Sequence, residues 1–145
     1  MCNAQGLDRR MLRWHYRSRH DSLIAVSNRE FYENRLCVIP NPWPDRPDLG
    51  LKWRFVPDGV FDRGGSATNR AEARAVADAV LEHARRHPDR TLGVGAFSIQ
   101  QRDAILDELE RRWREAPDVR DWFGTDGPEP FFVKNLESIQ GDERD

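Results

Sequence analysis

The chain has 145 residues, of which 38% are apolar and 33% charged, with a formal net charge of −2. This is about one domain's worth of sequence with the composition of a soluble globular protein, and it contains no apolar run near the ~20 residues that span a bilayer. The opening residues, MCNAQGLDRR, carry no apolar signal core, so the expected location is cytoplasmic.

Cys2 and Cys37 form neither a disulfide framework nor a metal-binding pattern, and Cys37, within LCVI, is expected to be a small buried apolar residue. The net charge points neither toward nor away from nucleic acid. Arg9, Arg10, Arg13, Arg17 and Arg19 crowd the first twenty residues. Such a cluster reads as a phosphate-binding face or as solvated surface, and composition alone favours the surface.

Leu12 to Tyr16 is a short strand with aromatic residues. Ser18 or Asp21 can cap a helix running to about Arg29, with Leu23, Ile24, Ser27 and Phe31 facing inward. Leu36 to Ile39 reads as a second strand, ended by Pro40. Residues 40–57 then carry five prolines, Trp43 and Trp53 without helical period, which marks a loop inserted in the domain. Leu51 to Val56 alternates as an edge strand that Val60 and Phe61 extend. The two tryptophans are expected to seal the loop onto its own domain.

The clearest helix start follows Gly64-Gly65-Ser66. Asn69 caps, Glu72 reaches back as in a capping box, and Ala73, Val76, Ala77, Val80, Leu81 and Ala84 repeat at helical spacing until His87 and Pro88. His83 and His87 are four apart but lack the glutamate of a zinc HExxH motif, and they read as surface residues. Thr91 to Phe97 is a small-residue strand of the kind buried in a parallel sheet. Ser98 caps a helix to about Arg114 with Ile105, Leu106, Leu109 and Trp113 inward. An acidic connection, with one helical turn at Val119 to Trp122, leads to a strand at Phe131 to Val133. Strand and helix alternate throughout, predicting one α/β domain over residues 1–145: an open, mostly parallel sheet with helices on both faces.

Ligands in such sheets bind beyond the carboxyl ends of the strands. Three segments end strands there: Tyr16-Arg17-Ser18, Phe97-Ser98, and the loop from Asn135 to Asp145. Singly, each is most simply a surface residue, a helix cap or a turn. In order, they resemble a known set. LRWHYRSRHDSLIAVSNREFYENRL resembles the motif by which superfamily 1 helicases enter their second RecA-like domain. VGAFSIQQRDAI resembles the strand-and-helix motif downstream, NLESIQGDERD resembles the Gln-Gly, Glu and Asp motif after it, and NRAEA at Asn69 to Ala73 stands where the family has it. The resemblance covers nearly the whole chain. It is strongest to the UPF-type branch, in bacterial multidomain proteins that join this motor to a restriction-nuclease-like domain.

The resemblance implies a P-loop NTPase second domain and a set of roles. Arg17 is the arginine finger toward the γ-phosphate, and Tyr16 stacks on or flanks the adenine. Gly141 lets the backbone approach the nucleotide, and Glu143 accepts hydrogen bonds from it or its hydration. Ser98 and Asn135 meet nucleic-acid phosphates without reading sequence. The implied partners are single-stranded nucleic acid, DNA ahead of RNA, and the first RecA-like domain of the same parent chain. ATP and Mg²⁺ belong to the intact parent.

Asn135 stands where the family often has Thr, Asp142 where a basic residue is frequent, and His15 where Gln is commoner. No G-x-x-x-x-G-K-[ST] loop is present, so the expectation is half a motor that does not hydrolyse ATP or hold the nucleotide alone. The alternative is a non-catalytic α/β module binding nucleic acid or a protein. A nuclease fragment, from Asp142, Glu143 and Asp145, ranks below both, because Lys134 is expected to point away from these acids.

Overall fold

A computed structural model describes residues 10–42, 49–124, 129–142 and 144. The chain divides into two compact units, Met1–Arg54 and Phe55–Asp145. Each contains a parallel pair of strands joined through a helix, the β-α-β pattern read from the sequence. The fold is therefore mixed α/β. The strands do not merge into one open sheet among the described residues; each pair is a separate two-stranded sheet.

In the first unit, strand β1 (Trp14–His15) pairs with β2 (Cys37–Val38), and helix α1 (Ser22–Tyr32) connects them. Asp21 occupies the N-cap without a side-chain capping bond, its carboxylate lying 3.0 Å from His20 Nδ1, while Ser18 is engaged with His15 instead of a helix. The helix ends where Glu33 and Asn34 adopt left-handed φ values of 54° and 57°, and the Asn34 N–H closes onto the Asn28 carbonyl at 2.9 Å. Asn28 also grips the entry to β2. Its carboxamide accepts from the Leu36 N–H at 3.1 Å and donates to the Leu36 carbonyl at 3.3 Å. The expected inward stripe of α1 is not formed, since no residue of the helix is buried and Leu23 and Phe31 are exposed. Cys37 is exposed as well. Strand alternation sends buried Leu36 and half-buried Val38 to one side and Cys37 to the other.

Among the described residues, Leu51 to Val56 pairs with no strand. Trp53 is 90% exposed, so it does not seal the loop, and Trp43 lies outside the described residues. The Asp62 carboxylate organises the turn that follows. It accepts from the Ser66 N–H at 2.7 Å and the Ser66 hydroxyl at 3.0 Å, bonds that hold its pKa below the ordinary value.

The second unit holds the core. Helix α2 (Arg70–Arg86) buries Ala73, Ala77, Val80, Leu81 and Ala84, and α3 (Ile99–Glu115) buries Ile105 and Leu109. Strand β3 (Gly93–Ala96) pairs in parallel with β4 (Phe132–Asn135) in the register Gly93↔Phe132 to Ala96↔Asn135. Val94, Ala96 and Val133 face the helices within one cluster with Ala73, Ala77, Ile105 and Leu109. The opposite sheet face carries Gly93, Gly95, Phe132 and Lys134, and within this unit α2 and α3 pack on the other side.

A 3-10 segment, Pro117–Phe123, closes the base of this unit with Ala116 and Val119 against Leu81 and Ala84. Its aromatic rings continue the packing: Trp122 meets Phe131 at 5.7 Å and Phe123 meets Trp113 at 4.5 Å. His83 belongs to this cluster and is not a plain surface residue. Its ring lies edge-on to Trp122 at 5.6 Å, and burial lowers its pKa. Among the described residues, no helix is long and apolar enough to cross a membrane.

Candidate functional site

The strand register decides what gathers at the carboxyl edge of the second unit. Ala96 and Asn135 are partners, so Phe97-Ser98 and Leu136 leave the sheet side by side. Ser98 is half-buried and caps α3, its Oγ accepting from the Gln101 N–H at 3.1 Å. A 17-residue helix thus begins directly at this edge, with the partial positive charge of its N-terminus. Asn135 is only 6% exposed, and its Oδ1 accepts from the Ser138 hydroxyl at 2.7 Å. Its carboxamide braces the 3-10 turn Leu136–Ser138, so a phosphate reaching it would first have to displace that turn.

The chain then reverses at Gly141, whose φ of +92° lies in the region that glycine alone adopts without strain. A Cβ placed there would meet nothing within 4 Å, so the backbone is open to close approach by a ligand. The reversal brings Asp142 back onto β4, where its Oδ2 lies 2.7 Å from Lys134 Nζ. Lys134 therefore points at this loop and not away from it. The reason is alternation: Lys134 shares the open sheet face with Phe132, the face over which the loop returns. Lys134 Nζ and Arg144 Cζ stand 4.8 and 4.6 Å from the centre of the Phe132 ring, and a cleft of about 450 Å³ runs along these residues and Gly141. Glu143 and Asp145 lie outside the described residues.

Tyr16 and Arg17 follow β1 in the first unit. Both are exposed, Tyr16 at 87%. His15, with no role assigned from the sequence, holds the turn that displays them. Its Nε2 accepts from the Ser18 N–H at 3.0 Å and lies 2.7 Å from the Ser18 hydroxyl. Ser98 and Asn135 thus lie at one sheet end, Gly141 lies in the loop that returns along β4, and Tyr16 with Arg17 follows β1 on the pinned turn of the first unit.

Gln101 escaped the sequence reading as a contact residue. Its carboxamide accepts from the Asn69 N–H at 2.7 Å and donates to the Asn69 carbonyl at 3.1 Å, while Asn69 Oδ1 caps α2 by accepting from the Glu72 N–H at 3.2 Å. The reciprocal half of the expected capping box thus comes from α3 instead of Glu72. This ties the starts of both helices to the same edge. A Gln near a helix start carries no long-range signal, so spacing alone could not reveal the bridge.

Similar proteins bear on this arrangement. The chain is 34% identical, over 145 aligned positions and 93% of its length, to a protein of Mycoplasma genitalium named an uncharacterized ATP-dependent helicase. It is 30% identical, over the same share, to the homolog of that helicase in Mycoplasma pneumoniae. These similarities support a helicase relationship. The chain spans about one eighth of each relative, 12% of its length. No family model matches the chain, and no solved structure matches it.

The described residues contain no group of three His, Cys, Asp or Glu side chains that could hold a metal ion. Tyr16 and Arg17 in the first unit and, separately, the Gly141 turn in the second are each exposed.

Proposed function

We propose that this chain is the second motor domain of an ATP-dependent superfamily 1 nucleic-acid helicase, with a RecA-like fold. It works against a Walker-bearing first domain elsewhere in the parent protein. The reading is carried by the similarity to proteins named ATP-dependent helicases, which covers 93% of the chain. The site geometry agrees with it. Two strand-end segments offer chemistry that a closing motor needs: a guanidinium on a pinned turn after β1 and a helix start after β3.

In this proposal Arg17 enters the nucleotide site of the first domain and stabilises charge on the γ-phosphoryl oxygens during transfer to water. Tyr16 lies along the adenine. Gly141 and Glu143 approach the nucleotide from the other loop, and Ser98 holds a backbone phosphate of a single strand, DNA ahead of RNA, joined by Asn135 once the Leu136–Ser138 turn opens. Mg²⁺ and the phosphate cradle come from the first domain.

The test is Arg17→Ala in the full-length protein. DNA-stimulated ATP turnover is expected to fall by roughly 10³-fold or more while binding of a non-hydrolysable nucleotide is retained. Unchanged turnover would remove Arg17 from the role. A parent without ATPase activity would favour the non-catalytic binding module.

A further inference from the structure

We propose that Phe97 is a stacking platform for a base of the single strand, a role resting on the helicase reading above. Its ring is 93% exposed, more than Trp53 at 90% or Tyr16 at 87%. A lone exposed aromatic residue on a loop would mean little. Phe97 is different because both of its neighbours are fixed. Ala96 is buried and paired with Asn135, and Ser98 is locked by its cap on α3. The backbone is therefore set before any ligand arrives, and only two side-chain torsions remain to be ordered.

The surroundings match a base in shape and chemistry. Phe97 continues the alternation of Gly93 and Gly95, placing it at the end of the open sheet face. Above Gly95 lie Leu136 and Ile139, whose terminal carbons would stand 3.6 and 3.3 Å from an added Cβ. Leu136, 47% exposed, follows Asn135 as Phe97 follows its partner Ala96, so the two leave the sheet at neighbouring positions. The helix start at Ser98 supplies partial positive charge one residue away, where the phosphate of a stacked nucleotide would sit. A flat apolar ring beside a phosphate-attracting terminus is the pairing that sequence-independent strand binding uses.

The experiment uses the full-length protein with Phe97→Ala, Phe97→Leu and Phe97→Trp, at one fixed salt concentration because strand affinity is salt-dependent. Binding of a single-stranded oligonucleotide carrying a fluorescent adenine analogue reports affinity by anisotropy and stacking by quenching. Phe97→Ala and Phe97→Leu are each expected to weaken binding roughly five-fold or more and to relieve quenching, with Phe97→Trp restoring both. Wild-type affinity and quenching in Phe97→Ala overturn the role while leaving the helicase reading intact. Full rescue by Phe97→Leu also overturns it, since an aliphatic side chain can pack against protein but cannot stack. If the wild-type parent binds no single strand and shows no strand-stimulated turnover, the helicase reading fails instead, independently of the Phe97 variants.

Discussion

Gln101 shows how one side chain can decide a local fold. The Asn69 backbone sits in a residue only 5% exposed, and its N–H and carbonyl are both met by the Gln101 carboxamide. Gln101→Ala leaves the buried Asn69 N–H without its acceptor, while the carbonyl keeps the Ala73 N–H at 3.0 Å, so the expected loss is about 1–3 kcal/mol despite the better helix propensity of alanine. Gln100→Ala, on the exposed side of the same turn, is the control and should be near neutral; urea denaturation of the two variants separates them. His83 gives a second handle. Burial lowers its pKa, with a hydrogen bond to the Arg90 backbone working against that effect. The unfolded chain therefore takes up the proton first as pH falls, and the contribution of neutral His83 is complete above the unfolded value of about 6.5 and lost below it. The denaturation midpoint should drop between about pH 7.5 and pH 5.5, and His83→Gln should make that slope shallower. An identical slope in the variant would mean that other groups govern the acid side.

At the scale of elements, β3 explains why small residues alternate in TLGVGAF. A Cβ on Gly93 would overlap the Phe132 ring, coming within 2.8 Å of its Cε1, whereas at Gly95 it would meet only the flexible tips of Ile139 and Leu136 at 3.3 and 3.6 Å. Gly93→Ala is therefore expected to cost about 1–3 kcal/mol by overpacking, and Gly95→Ala much less. Phe132→Leu should recover part of the Gly93→Ala loss, which a double-mutant cycle by thermal unfolding would measure. The same physics governs what was legible in the sequence. Helices α2 and α3 were, because capping and a 3.6-residue apolar period are local and each is satisfied by this unit's own core. Leu51 to Val56 was misread because strand alternation becomes a strand only when a partner supplies the ladder, and here Leu51 donates its N–H to the Ser22 hydroxyl instead. Lys134 was misread because its contact with Asp142 depends on a chain reversal at Gly141 that residue type alone does not locate. Motif order placed Ser98 and Asn135 at one sheet end, but the burial of Asn135 depends on Ser138 and the turn between them.

For the whole molecule, the distribution of buried apolar side chains separates the two units. Among the described residues, eleven hydrophobic side chains are buried; Leu36 is in residues 1–54 and the other ten are in residues 55–145. Burial of apolar surface is the main term opposing chain entropy, so among the described residues the second unit has the larger means to fold by itself. The clamps in the first unit, Asn28 on Leu36 and His15 on Ser18, are polar and local. They fix turns but contribute little net stability, each typically about 1 kcal/mol. A chain comprising residues 55–145 is therefore expected to keep a cooperative thermal transition with helical circular dichroism, and one comprising residues 1–54 to show none. In the 145-residue chain, proteolysis under native conditions should cut first within residues 1–54 and leave α2, β3 and α3 together in one resistant fragment. Equal resistance of both units would show that the first is stabilised by more than its own core. A non-cooperative melt of residues 55–145 would show that the ten-residue core is insufficient alone.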